Sequence, residues 1–152
     1  DVDIDEAKII MEKIEGKPLI EILRSNEHDE ELLIKVGRSI RELHRNAVNH
    51  GDLSTNNILI SDNRDAFLID LGLATREYDL EGFGIDLHVL HEILRASHPD
   101  VKGAMDLVLK GYSQLDEELG KPEAAPGGFP PDAEDVIKRL GQIMKRVRYH
   151  GG

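Results

Sequence analysis

The 152-residue sequence lacks cysteine and tryptophan, and aromatic side chains make up only 4% of it. Because no disulfide can form, the fold must depend on a hydrophobic core, which a chain of this length can bury. The absence of cysteine fits a reducing compartment, and we therefore expect a cytoplasmic protein. So few aromatic rings leave little for stacking nucleic-acid bases in the manner of single-strand binders.

Long apolar runs are also missing, and basic residues are few. No run approaches the roughly 20 apolar residues needed to cross a bilayer, so we expect a soluble protein with no membrane partner. Acidic residues outnumber basic ones by 30 to 19, and the net charge of -11 opposes nonspecific attraction to a phosphate backbone. Five basic residues nevertheless fall within 138–148 without an acid among them, so any contact with RNA is expected there.

The pattern of apolar and turn-forming residues predicts a mainly helical α+β fold. We predict a β-rich segment over 8–14 and helices over Leu19–Leu23, Glu30–Arg45, Ile85–Ala96, 107–119 and Ala133–Arg148. Glycines at 82 and 84 are predicted to punctuate the chain before the third predicted helix, Ile85–Ala96. Residues 120–131 contain four prolines and three glycines, which predicts a flexible insertion.

Two short apolar strands, Ile58–Ile60 and 66–69, flank a turn-forming cluster and predict a β-hairpin. Polar residues lie at its open ends. Asp52 and Asn57 precede the first strand with the spacing of the kinase pattern His-x-Asp-x-x-x-x-Asn. Asp70-Leu71-Gly72 follows the second strand and matches Asp-Phe-Gly with leucine for phenylalanine.

These three residues have the chemistry that phosphoryl transfer from ATP requires. Asp52 would orient the acceptor hydroxyl or water and accept its proton, while Asn57 and Asp70 would bind the Mg²⁺ that bridges the phosphates. Each residue alone could equally be a turn former, since Asp and Asn are common in loops. Their combined spacing around one hairpin favours the catalytic interpretation.

Other positions fit the same scheme. Met11, Glu12 and Ile14 resemble a kinase hinge that binds adenine through its backbone, although any strand and turn would look similar. Asp86 resembles the buried aspartate that accepts backbone hydrogen bonds from the catalytic loop, and the alternative is an acid favoured by the helix dipole. His50 is expected to pack structurally rather than to act as an acid or base.

Two departures narrow the class of kinase. Gly51 replaces the arginine that in many kinases pairs with a phosphorylated activation loop, so that form of control has lost its receptor. The segment 73–85 is short and lacks the Ala-Pro-Glu element that builds a peptide platform. An ATPase or atypical kinase is therefore favoured over an ordinary protein-substrate kinase.

Four motifs carry a resemblance to a known family, and they lie at 49–57, 68–73, 85–90 and 97–99. They resemble the PRPK-type small atypical kinase of the KEOPS tRNA-modification complex, over about 9–112 and the last helix. The resemblance implies a kinase-like carboxyl-terminal lobe over 17–152 behind a hinge at 9–16, with ATP and Mg²⁺ as cofactors. It further implies ATPase activity coupled to tRNA threonylcarbamoyl-adenosine synthesis, and contact with the metal-containing transferase subunit and other KEOPS subunits.

The same comparison raises expectations about activity. No glycine-rich loop precedes the hinge and no lysine–glutamate pair is present to grip the phosphates, so we expect that an amino-terminal lobe is absent and that this chain alone is inactive. The basic final helix resembles only the start of the family's basic tail, so tRNA contact there is a weaker expectation. The alternatives are a non-enzymatic kinase-lobe scaffold and a RIO-like or small-molecule phosphotransferase.

Overall fold

The structure of the protein, a computed structural model, describes residues 15–124 and 129–150 together with two short strands near the amino terminus. The strands are β1 (Val2–Asp3), β2 (Lys8–Ile9), β3 (Gly16–Pro18), β4 (Val48–Asn49), β5 (Ile58–Ser61), β6 (Ala66–Leu68) and β7 (Thr75–Arg76). The helices are α1 (Leu19–Arg24), α2 (Glu30–Arg45), α3 (Leu80–Ser97), α4 (Ala104–Leu119) and α5 (Ala133–His150), with a 3-10 helix at Leu71–Leu73. No helix in this part of the chain combines the length and hydropathy that spanning a bilayer requires.

The predicted hairpin is confirmed as β5 and β6, which pair antiparallel with Ile58 opposite Leu68. β3 adds to the other edge of β5, so the small sheet has the order β3-β5-β6. The second strand ends at Leu68, slightly earlier than predicted. Beyond it, the Ile69 amide still donates to the Asn57 carbonyl at 2.9 Å, which holds the two open ends of the hairpin together.

Helix α2 has the predicted bounds, because both of its determinants are local. The Asp29 carboxylate caps the helix by accepting a hydrogen bond from the Leu32 amide at 2.9 Å. The helix then packs closely on α4, where a Cβ at Gly37 would lie 1.8 Å from the Val108 carbonyl oxygen. This close approach brings the polar side chains of α2 into contact with those of α4.

Helix α3 begins at Leu80, so the prediction of a helix start at Ile85 behind two punctuating glycines was wrong. The Phe83 amide donates to the Asp79 carbonyl at 2.9 Å, and the Phe83 ring is fully buried. Gly84 lies inside the helix because α5 approaches closely there, and a Cβ would lie 2.8 Å from Cδ1 of Ile143. The glycine is therefore used for packing and not for ending an element.

Helix α5 follows a reciprocal cap. The Asp135 amide donates to the Asp132 carboxylate at 2.8 Å, and the Asp132 amide donates to the Asp135 carboxylate at 3.4 Å. Val136, Leu140 and Ile143 are buried against the rest of the fold. The described parts of the connection between α4 and α5, 120–124 and 129–132, contain neither helix nor strand. The flexibility of this insertion stays a prediction.

Candidate active site

The loop that carries Asp52 lies beside the segment that follows Asp70. β4 pairs with β7 so that Asn49 is opposite Thr75, which joins the start of one segment to the end of the other. At Gly51 the backbone φ is +85°, and a Cβ would lie 2.4 Å from the Leu73 carbonyl oxygen. Only glycine meets both conditions, so an arginine at this position would force the two segments apart.

Asp86, on α3, holds the start of this loop through hydrogen bonds. Its side chain is buried in α3, and its two oxygens accept the amide protons of His50 at 2.8 Å and Gly51 at 3.1 Å. The predicted contact of Asp86 with the loop that carries Asp52 is confirmed. The alternative, an acid favoured by the helix dipole, does not fit, because Asp86 lies more than a turn inside the helix that begins at Leu80.

His50 joins the loop to the end of β6. Its Nε2 lies 2.8 Å from the Ile69 carbonyl oxygen, which can only accept, and its Nδ1 lies 3.1 Å from the Asp52 amide, which can only donate. A neutral ring with its proton on Nε2 satisfies both bonds. The ring is fully buried. The predicted structural role of His50 is therefore confirmed, and the ring fixes the backbone at Asp52.

Thr55 anchors the middle of the loop. Its hydroxyl lies 3.1 Å from Nε2 of the buried His98, and its carbonyl accepts the Ile20 amide proton at 3.0 Å. Helix α1 and the residue that follows α3 therefore both hold the loop. The frame around Asp52 consists mainly of hydrogen bonds to backbone atoms, and the carboxylate itself is exposed.

The structure brings Asp52 and Asn57 together. The Asn57 side-chain amide donates to the Asp52 carbonyl oxygen at 2.8 Å and to its carboxylate at 3.2 Å. These bonds orient the carboxylate of Asp52. They use only the nitrogen of the Asn57 amide, so its oxygen stays available for a metal ion.

Asp70 adopts a left-handed conformation, with φ 59° and ψ 66°, immediately before the 3-10 helix. Residues other than glycine adopt this conformation at a cost of about 1 kcal/mol, with aspartate among the more tolerant, and such residues cluster at functional sites. The carboxylate is exposed and has no hydrogen bond or ion pair among the residues that the structure describes. Together with the Asn57 oxygen it fits Mg²⁺, which prefers oxygen ligands and takes one or two from protein beside substrate phosphates.

The hinge residues Met11, Glu12 and Ile14 lie outside the described residues, so the adenine site stays a prediction. The basic stretch at the end of α5 is partly engaged in packing. Arg146 makes two hydrogen bonds of 3.1 Å to the Glu81 carboxylate on α3, and Arg139 lies 3.7 Å from the same group. These pairs favour a structural role for part of the stretch.

The sequence did not reveal a set of buried polar residues behind the loop. Leu43 continues the apolar spacing of α2 but is only half-buried, whereas Arg41 and His44 are 0% and 1% exposed. His44 lies 2.9 Å from Asp86. Burial lowers the pKa of His44, although its hydrogen bond to Asp86 acts in the opposite direction. Arg41 and His44 fall on the apolar stripe of α2 that contains Ile40. Their position on this stripe was the signal in the sequence that they are buried.

Comparisons with known proteins agree with the motifs. The model of the lipopolysaccharide kinase (Kdo/WaaP) family matches residues 2–97. The chain is 35% identical to a probable bifunctional tRNA threonylcarbamoyladenosine biosynthesis protein of Methanosarcina acetivorans, over 97% of this chain and 23% of that protein. It is 36% identical to the KEOPS complex subunit Bud32 of Pyrococcus abyssi, over 98% of this chain and 63% of that protein.

A probable serine/threonine-protein kinase BUD32 homolog of Archaeoglobus fulgidus is 32% identical over 97% of this chain and 65% of that protein. The expected resemblance to the KEOPS kinase is confirmed. The chain spans about a quarter of the bifunctional relative and slightly less than two thirds of the two Bud32-type relatives.

Proposed function

Because this chain belongs to the lipopolysaccharide kinase (Kdo/WaaP) family, we propose that it supplies the catalytic base and metal ligands of a Mg-ATP-dependent kinase or ATPase. The observation that carries the proposal is the geometry around the hairpin. Asn57 orients the carboxylate of Asp52, and Asp70, in a left-handed turn on the adjacent segment, has a carboxylate without a partner among the described residues. We propose that the biological role is support of tRNA threonylcarbamoyladenosine synthesis within KEOPS, as the names of the relatives suggest.

The chemistry assigns one task to each residue. The acceptor oxygen of a hydroxyl group or water forms a bond to the γ-phosphorus, the bond to the β,γ-bridging oxygen breaks, and ADP leaves. The acceptor's proton passes to the carboxylate of Asp52, which Asn57 keeps in place. Asn57 and Asp70 would bind Mg²⁺, which when bound neutralises charge that develops on the phosphates.

The test uses three aspartate variants of the complete encoded protein, assayed for Mg-ATP binding by calorimetry and for phosphate release. Asp70→Ala should lose metal-dependent nucleotide binding and turnover. Asp52→Ala should keep most of the binding and lose turnover by about 100-fold or more, the usual contribution of a positioned base. Asp62→Ala, in the closed turn of the same hairpin, is the matched control and should behave as wild type. Wild-type turnover in Asp52→Ala would refute the role of Asp52.

Two other functions make different predictions. If the chain is only a kinase-lobe scaffold, its Asp52→Ala variant would still support tRNA threonylcarbamoyladenosine formation together with the metal-containing transferase subunit. A RIO-like or small-molecule phosphotransferase, which the lipopolysaccharide kinase family description brings to mind, would need Asp52 but would not support tRNA modification. We expect modification in cells to require both Asp52 and Asp70. The tRNA-related name of a relative matched over 97% of the chain favours this outcome.

A further inference from the structure

A series of buried polar side chains leads away from the catalytic loop. Asp86, which holds the loop amides, lies 2.9 Å from Nε2 of His44, and Nδ1 of His44 lies 2.7 Å from the Tyr112 hydroxyl. That hydroxyl lies 3.4 Å from Nη1 of Arg41. Arg41, His44 and Tyr112 are each at most 1% exposed, so they must satisfy one another without bulk water.

The hydrogen bonds in this series run in one direction. The guanidinium of Arg41 can only donate, so the Tyr112 oxygen accepts from it. The Asp86 carboxylate accepts, so His44 carries its proton on Nε2 and accepts the Tyr112 proton on Nδ1. Burial raises the pKa of Tyr112 and lowers that of His44, which keeps the hydroxyl protonated and the imidazole neutral at pH 7. Hydrogen bonds aligned in this way polarise and strengthen one another.

Asp116 lies at the far end of the series. It accepts two hydrogen bonds from Arg41, from Nε at 2.8 Å and from Nη2 at 3.1 Å, in the bidentate arrangement that fixes a guanidinium most firmly. The Ala133 amide also donates to Asp116 at 2.8 Å. The same carboxylate therefore fixes Arg41 and the first residue of α5.

Both ends of the connection between α4 and α5 are held at this place. Arg41 donates to the Pro131 carbonyl at 2.9 Å, and Arg45 donates to the Gly120 carbonyl at 2.8 Å. Arg45 also donates to Asp116 at 2.8 Å. A shift of either end of the connection would therefore disturb the hydrogen bonds of the arginines of α2. A displaced Arg41 would in turn disturb the buried series.

We infer that Tyr112 and Arg41 are positioning residues for Asp52, and that the series from Asp116 to Asp86 couples the ends of the α4–α5 connection to the catalytic loop. The inference rests on the proposed function of Asp52 for its effect on turnover. Its structural part stands on the contacts alone. Neither Tyr112 nor Arg41 belongs to the loop. Each acts through His44, which holds Asp86, and Asp86 accepts the amide protons of the two residues before Asp52.

The test is Tyr112→Phe in the complete protein, which removes one hydroxyl from the middle of the series and keeps the ring. We expect turnover to fall about fivefold, the effect of one net hydrogen bond, with Mg-ATP affinity unchanged. NMR should show displaced amide resonances for His50 and Gly51, whose protons Asp86 accepts. Asp116→Asn, at the far end of the series, should displace the same two resonances. It is the alternative test variant if Tyr112→Phe does not fold.

The matched control is Arg38→Gln, which breaks an exposed ion pair between Arg38 and Glu118 across the same two helices. It should leave the turnover and both amide resonances unchanged. Unchanged His50 and Gly51 resonances in Tyr112→Phe and Asp116→Asn would overturn the inference. The NMR result is independent of catalysis, so wild-type turnover in Asp52→Ala would refute the proposed function without affecting this structural test.

Discussion

Of the aspartate/glutamate–arginine pairs that join α2 to α4, Arg41–Asp116 and Arg38–Glu118 should differ sharply in their contribution to stability. Arg41 and Asp116 have side chains 0% and 10% exposed, whereas Arg38 and Glu118 are 33% and 57% exposed. Asp116→Ala would leave the guanidinium of Arg41 buried without its counter-ion, which typically costs about 3–5 kcal/mol. Glu118→Ala would release an arginine to water and should cost about 0–1 kcal/mol.

The free energy of unfolding can be compared through urea denaturation of both variants at pH 7. With an m-value of about 2 kcal/mol per M, Asp116→Ala should lower the midpoint by about 2 M, and Glu118→Ala by less than about 0.5 M. Asp116→Asn keeps one hydrogen-bond acceptor and should lie between them. Equal midpoint shifts for the two alanine variants would refute the argument, because they would mean that burial adds nothing to the cost of losing the partner.

Burial raises the pKa of Asp116, but hydrogen bonds from Arg41, the Ala133 amide and Arg45 outweigh burial and leave the pKa below its ordinary value. A carboxyl group with a lowered pKa contributes stability above its unfolded-state pKa of about 4 and loses it as the pH falls through the folded-state value. The difference between the two variants should therefore persist at pH 5. It should shrink only in strong acid.

Burial lowers the pKa of His44 and of His98, so the unfolded state binds their protons first as the pH falls below about 6.5. The free energy of unfolding should thus decrease from pH 7 to pH 5.5, and His44→Gln should reduce this dependence; an unchanged profile would contradict it. Lys145 and Arg148 have no ion-pair partner among the described residues, so reversing both charges should weaken tRNA binding and reduce its salt dependence by a slope of about 1–2. Arg146→Gln, which removes a base already paired with an acid, should weaken binding less, and equal losses would contradict a phosphate-binding role.

Local signals in the sequence were sufficient for several elements. The bounds of α2 follow from a cap at Asp29 and an apolar stripe within the helix itself. The hairpin follows from two short apolar strands and a turn, all within 58–69. The spacing of Asp52, Asn57 and Asp70 then placed the three candidate residues at the open ends of that hairpin, because strand pairing fixes which loops are neighbours.

Features that depend on distant partners could not be predicted in this way. Arg41 and His44 lie on the apolar stripe of α2, but their partners Asp116, Tyr112 and Asp86 are 42 to 75 residues away along the chain. Because the sequence does not identify these partners, an arginine on the stripe looks like a break in the apolar pattern. The start of α3 was missed for the same reason, because Gly82 and Gly84 are packed against residues distant in sequence, Asn49 and Ile143.

The two candidate carboxylates are held in different ways, and this affects how the site can be altered. Asp52 is fixed through its backbone, by the ring of His50 and by the amides that Asp86 accepts, and its carboxylate is oriented by Asn57. Asp70 is fixed by a left-handed turn and has no side-chain partner in the described residues. Changes to the buried polar series should therefore act on the proton acceptance proposed for Asp52 and spare the metal binding proposed for Asp70. Variants of the buried polar series should therefore lower turnover and keep Mg-ATP affinity, whereas a general loss of folding would lower both together.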